Sequence, residues 1–99
     1  MADETRTAIA WYRAEDWPTI KARAVDADKL HARHADWLAN ATDAERTLRK
    51  QGIEGVRVII EPDALELWCL LRGRKNDGDA RSAYAMEMLL KQDAKPKAR

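Results

Sequence analysis

Ninety-nine residues are enough for one domain and too few for two well-buried ones. The 18 basic residues nearly balance the 17 acidic ones, leaving a net charge of +1, so no bulk field draws the chain to nucleic acid or a membrane surface. A single cysteine excludes an internal disulfide framework and fits a reducing compartment, and the longest apolar runs fall far short of the ~18 residues a bilayer span needs.

The core has to be lean. There is no Phe, and Leu, Ile and Val together number 17, but four Trp and two Tyr supply large apolar area. A folded domain with an aromatic-centred core follows. The 18 alanines favour helix, because Ala loses no side-chain entropy there.

Residues 1–6 are polar and read as a flexible N-terminus. Met1-Ala2-Asp3-Glu4 is acidic and lacks the basic-then-apolar pattern of a signal peptide, so a cytoplasmic location is expected. Residues 7–13 alternate as a strand, with Ile9 and Trp11 on one side and Ala8, Ala10 and Tyr12 on the other. Asp16 and Pro18 mark a helix start, and Trp17, Ile20 and Ala24 form a narrow stripe ending near Val25. Asp26–Lys29 reads as a connector.

The next helix carries Leu30, His34, Trp37, Leu38, Ala41 and Leu48 at three-to-four-residue spacing. Thr42 with Glu45 resembles a capping box, but a continuous helix is the reading adopted, ending at a left-handed cap on Gly52. Residues 53–61 form the second strand. Val56, Val58 and Ile60 share one face; Arg57, Ile59 and Glu61 share a mixed, partly exposed one.

A third helix starts at Pro62 or Asp63 and ends at Gly73. Leu65, Trp68 and Leu71 point one way, and Leu67 and Leu70 widen the stripe so far that the helix is expected at the centre of the fold. After a loop over Arg74–Gly78, a fourth helix runs from about Asp79 to Gln92. Ala80, Ala83, Tyr84 and Met88 form its inner row, with Met86, Leu89 and Leu90 beside it. The basic tail from Asp93 onward, containing Pro96, is expected to be disordered.

The order is β-α-α-β-α-α: a mostly helical α+β fold, with a small two-stranded sheet packed on helices and a single domain over residues 7–92. The two halves correspond at an offset near fifty, with Trp17-Ile20 set against Leu65-Trp68, but their side chains match poorly. Two strands alone make a marginal sheet. Either they pair within the chain over a layer of helices, or they extend a sheet across a homodimer, which would also cover their open edges.

The segments Trp11-Tyr12-Arg13-x-Glu15-Asp16-Trp17-Pro18, Asp26-Ala27-Asp28-Lys29-Leu30, Asp36-Trp37-Leu38, Val56-Arg57-Val58 and Leu67-Trp68-Cys69 resemble a family of small bacterial proteins, over most of residues 8–90. The resemblance implies a bacterial, cytosolic, single-domain protein. It brings no activity, cofactor, partner or site residue with it.

Few residues carry a chemical signal. Cys69 lies towards a helix C-terminus, whose negative end disfavours a thiolate, and reads as a small core hydrophobe. His31 and His34 are three apart, near Asp28 and Asp36, but a metal site needs three or four convergent ligands. The acidic groups Glu15, Asp16, Glu61 and Asp63 sit at helix starts, where capping and the helix dipole account for them. The four glycines are scattered and form no phosphate-cradling loop.

Arg72, Arg74 and Lys75 form a basic knot, echoed by Lys91, Lys95, Lys97 and Arg99. Trp11 and Tyr12 point to opposite faces of one strand, so one of them is expected at the surface, where a large aromatic marks an interface. The expectation is a non-enzymatic protein–protein interaction module without cofactor or metal. Its candidate surface is Trp11, Tyr12, Arg13, Arg72, Arg74 and Lys75, and its partner is another protein or a second copy. Two other readings stay open: a weak nucleic-acid binder using the basic knot and tail, though no nucleic-acid motif is present, and a small enzyme pairing Cys69 with His31 or His34.

Overall fold

The computed structural model describes residues 5–94. Strand β1 (Thr5–Trp11) leads through a 3-10 turn at Ala14–Asp16 into helix α1 (Trp17–Arg23). A second 3-10 turn at Ala27–Lys29 precedes helix α2 (His34–Lys50), strand β2 (Ile53–Ile59), helix α3 (Pro62–Arg72) and helix α4 (Gly78–Ala94). This is the expected α+β order. No helix among the described residues is long and apolar enough to cross a membrane.

The two strands pair with each other, in parallel, in a register running from Thr5 opposite Ile53 to Trp11 opposite Ile59. The Ile60 amide donates to the Trp11 carbonyl at 2.9 Å and extends the ladder by one bond. Thr5 and Arg6 therefore belong to the sheet, where a flexible terminus was expected. Residues 1–4, expected to be flexible with them, lie outside the described residues. The basic tail is corrected likewise: Asp93 is helical and accepts from Arg6 at 2.8 Å, while residues 95–99 lie outside the description.

In a parallel pair, residues opposite one another share a face, so the sheet has two distinct sides. Ile9, Trp11, Gly55 and Arg57 face α2. A Cβ on Gly55 would meet Ile9 Cδ1 at 2.5 Å and Leu48 Cδ1 at 3.3 Å, so a larger residue would push Ile9 of the neighbouring strand aside and press on α2. Arg57 donates twice to Glu45 of α2, at 2.6 and 2.8 Å. The other side, with Ala8, Ala10 and Val58, is covered by α4, which packs across both strands. Two small alanines let that helix settle close. The result is three layers: helix, two-stranded sheet, helix.

The core is built from the aromatics, as their number demanded. Trp37 lies at the centre of a cluster, with ring centroids 5.0 Å from Trp11, 5.0 Å from Tyr12, 5.7 Å from Trp17 and 5.1 Å from His34. Edge-on and tilted packing of this kind adds to simple area burial. A His34 ring N–H donates to the Tyr12 carbonyl at 2.7 Å and fixes the first turn of α2 beneath the end of β1.

Several local readings change. Asp16 makes no capping bond; its carboxylate accepts from Arg13 at 3.2 Å instead. Helix α2 begins at His34, so Leu30 joins the core from the preceding turn. Thr42 lies inside α2, its hydroxyl donating back to the Leu38 and Ala39 carbonyls, which keeps the helix continuous. Gly52 takes φ +79°, the left-handed cap that was expected. Helix α4 is capped by Asp77, whose carboxylate accepts from the Ala80 amide at 2.9 Å.

Candidate interaction surface

The six residues expected to form one surface do not do so. Trp11 and Tyr12 are 7 % and 6 % exposed, both inside the aromatic cluster. Tyr12 follows the last strand residue, and both rings pack against Trp37 of α2, so neither is left at the surface. The Arg57 guanidinium stacks over the Trp11 ring at 3.9 Å and closes its outer side. Arg13 joins the two loops that follow the strands, donating to Glu61 at 2.7 Å and to Asp16 at 3.2 Å. Open parallel sheets commonly bind ligands just beyond the C-terminal ends of their strands. Here that space is taken by Tyr12, Ile60 and the Arg13–Glu61 pair.

Arg72 and Arg74 lie at the far end of α3, on the order of 15 Å along an 11-residue helix from Glu61. Both turn back over Trp68, their guanidinium carbons 4.6 and 5.6 Å from its ring centroid. Arg72 also pairs with Glu87 of α4 at 2.9 Å. Lys75 is exposed in the loop beyond. The basic knot is therefore one structural unit, and Trp11, Tyr12 and Arg13 belong elsewhere.

The larger surface feature is α3 itself. Pro62 starts it without leaving a donor unpaired, and Gly73 stops it at φ +62°, with the Arg74 amide donating to the Cys69 carbonyl at 2.9 Å. Leu65, Trp68 and Cys69 face inward and are buried. Leu67, Leu70 and Leu71 face outward and are 57 %, 71 % and 74 % exposed. A helix with so wide an apolar stripe was expected at the centre of the fold, and this one lies at its margin with Leu67, Leu70 and Leu71 uncovered. Beside it, Leu67 and Leu71 with Met88 of α4 line an open groove of about 270 Å³, rimmed by Arg72, Glu87 and Lys91.

A second depression, about 430 Å³, lies at the opposite end of the sheet, lined by Glu45, Arg49, Gly52, Ile53, Glu54 and Gly55. Its acids are engaged: Glu45 by Arg57, whose hydrogen bond holds the carboxyl below its usual range, and Glu54 by Arg6 at 3.3 Å. A carboxylate fixed in this way is a poor proton carrier near neutral pH.

The remaining candidates resolve individually. Burial pushes the Cys69 thiol up, the reverse of what an activated nucleophile requires. His34 is occupied by the Tyr12 carbonyl and its ring neighbours, and His31 is exposed ahead of α2. Among the described residues no three metal-ligating side chains converge.

One buried polar group had no sequence signal. Arg81, 3 % exposed, sits on the face of α4 expected to be purely apolar. It donates to Asp26 at 3.0 Å and to the Asn76 side chain at 3.1 Å, and the Gly78 amide reaches the same Asp26 oxygen at 3.0 Å. This ties the connector after α1 to the start of α4. Burial pushes the Asp26 carboxyl up, but the Arg81 hydrogen bond and charge, with the Gly78 amide, overcome that and hold it below its usual value. Comparison of the chain with family models, with curated proteins and with solved structures finds no match.

Proposed function

We propose that this chain is a non-enzymatic protein-interaction domain that binds through the outward face of α3. The observation that carries the reading is the exposure of Leu67, Leu70 and Leu71 on one side of a helix whose other side is fully packed. An apolar face of this kind on a folded domain marks a surface that a partner covers. The arrangement of the polar groups supports it. The end of the parallel sheet is filled, the carboxylates in the larger depression are ion-paired, and the thiol is buried and pushed up. Arg72 and Arg74 lie stacked on Trp68, which offers a partner a flat cationic rim and leaves no free aromatic face for a nucleobase. The unpaired, buried Cys69 fits a reducing compartment as the setting.

The test is methyl NMR on leucine-labelled protein, recorded over a dilution series and in extract of the native host. The Leu67, Leu70 and Leu71 methyl signals should shift or broaden in at least one series while Leu48 and Leu65 stay fixed. If all three remain sharp and unshifted under both conditions, the face binds nothing and the reading is wrong.

A further inference from the structure

Resting on that reading, we infer that the partner is an acidic amphipathic helix, lying in the groove between α3 and α4 with its carboxylates towards Arg72, Arg74 and Lys91. Leu67 and Leu71, one turn apart, wall the groove on the α3 side, and Tyr84, Met88 and Lys91, on successive turns, wall it on the α4 side. Its volume of about 270 Å³ takes roughly two large apolar side chains, since a cavity of about 150 Å³ holds one aromatic ring. The groove offers an occupant only side chains, because the backbone groups of both walls are bonded within their helices. An extended segment has no strand edge to join here, whereas a helix satisfies its own backbone and presents a row of apolar anchors.

Charge selects among helices. Among the described residues Glu87 is the one acid lining the groove, and two cations share it, Arg72 at 2.9 Å and Lys91 at 3.4 Å. Arg74 lies beside them over the Trp68 ring, and Lys75 is exposed in the loop beyond; among the described residues neither pairs with a carboxylate. Four cations against one carboxylate leave this side and end of the leucine stripe with positive charge in excess. Glu66 lies on the opposite flank, and it shares Arg23 with Asp63, at 2.8 and 2.9 Å, so that flank is left slightly negative. A helix that fits both flanks carries acids along the edge meeting α4 and the end of α3, and none along its other edge. A basic helix is repelled where the groove is deepest in cations.

The test titrates two helical peptides of about 16 residues into protein labelled at its Leu and Met methyls. Both carry the same leucine stripe, flanked along one edge by Glu in the first and by Lys in the second. The Glu peptide should shift the Leu67, Leu71 and Met88 methyls and bind at least about tenfold more tightly than the Lys peptide at low salt, with the difference shrinking severalfold at ~0.5 M salt. Leu71→Asp should abolish the shifts. Lys75→Glu with Lys91→Glu alters exposed side chains only, and should weaken the Glu peptide about tenfold. Indole emission and thermal melting monitor folding of each variant. Equal binding of the two peptides, or tighter binding of the Lys peptide, overturns the acidic-helix inference. So does the absence of any shift at about 1 mM Glu peptide. If the same methyls then respond in host extract, or to anionic phospholipid vesicles, the docking face stands with another kind of partner; if they respond to nothing, the face and the inference fall together.

Discussion

Among the described residues Arg81 is the one cation held in the interior, and Arg81→Met removes it and leaves Asp26 behind. The Arg81 side chain is 4 % exposed and that of Asp26 15 %, so little water can replace the lost guanidinium. Breaking a buried ion pair from one side costs about 3–5 kcal/mol, because the remaining charge stays desolvated. Asp26 keeps the Gly78 amide and slight exposure, which places the expected loss near the lower end, about 3 kcal/mol. In a domain stable by about 5–10 kcal/mol, with each kcal/mol moving the midpoint about 4–8 °C, melting should fall by about 12–24 °C. Adding Asp26→Asn removes the stranded charge and keeps an acceptor for Gly78, so the double variant should recover part of the loss.

The pH dependence has a definite sign. In wild type the folded Asp26 is held below its unfolded value of about 3.9, so its contribution is complete above that pH and fades as pH falls through the folded value. Without Arg81, burial dominates and lifts the carboxyl, so the variant instead gains relative stability as the group protonates. The gap between the two proteins should narrow from pH 7 to pH 4, measured by urea unfolding followed through tryptophan emission. A loss under 1 kcal/mol at pH 7, or a gap unchanged at pH 4, would refute the account of this tie.

Three further outcomes follow from the packing. Gly73→Ala should destabilise by about 1 kcal/mol in thermal melts although its new Cβ meets nothing within 4 Å, because the cost is the left-handed backbone alone. Gly55→Ala should cost about 1–3 kcal/mol, since Ile9 must rotate away and Leu48 must give way; pairing it with Ile9→Val should return part of that in a double-mutant cycle. Cys69 should react with a disulfide reagent at least ~100-fold faster in denaturant than in the native protein, and near-equal rates would contradict its burial.

The element order was legible because each element has its own local signal: alternation at Ile9–Tyr12 and Val56–Ile60, proline at the starts of α1 and α3, and glycine at the end of α3. What escaped was how many sides of each element are covered. Alternation assigns Trp11 and Tyr12 to opposite faces, but β1 ends at Trp11 and both rings turn onto Trp37 of α2. The apolar width of α3 is legible in its sequence, but width alone does not say whether the helix lies at the centre or at the margin, where Leu67, Leu70 and Leu71 are exposed. Arg81 was passed over because an arginine on a helix is normally solvated, and its partners, Asp26 and Asn76, are 55 and 5 residues away. Arg72 reaches Trp68 from one helical turn away and Arg74 reaches it after the turn at Gly73, which joins the basic knot to an aromatic other than the one expected.

The parallel register sets a timetable for folding. Each residue of β1 bonds opposite a residue forty-eight positions later, so the first strand has no partner until β2 has left the ribosome. At about 5–20 residues per second that interval is roughly 2–10 seconds. For that time Trp11, Trp17 and Trp37 can gather into a sticky cluster, but the strand beside them has nothing to zip onto and no α4 to lie under. The nascent chain should therefore depend on holding chaperones over this window, and the sheet should close late, in one step that brings β1 together with β2 and α4.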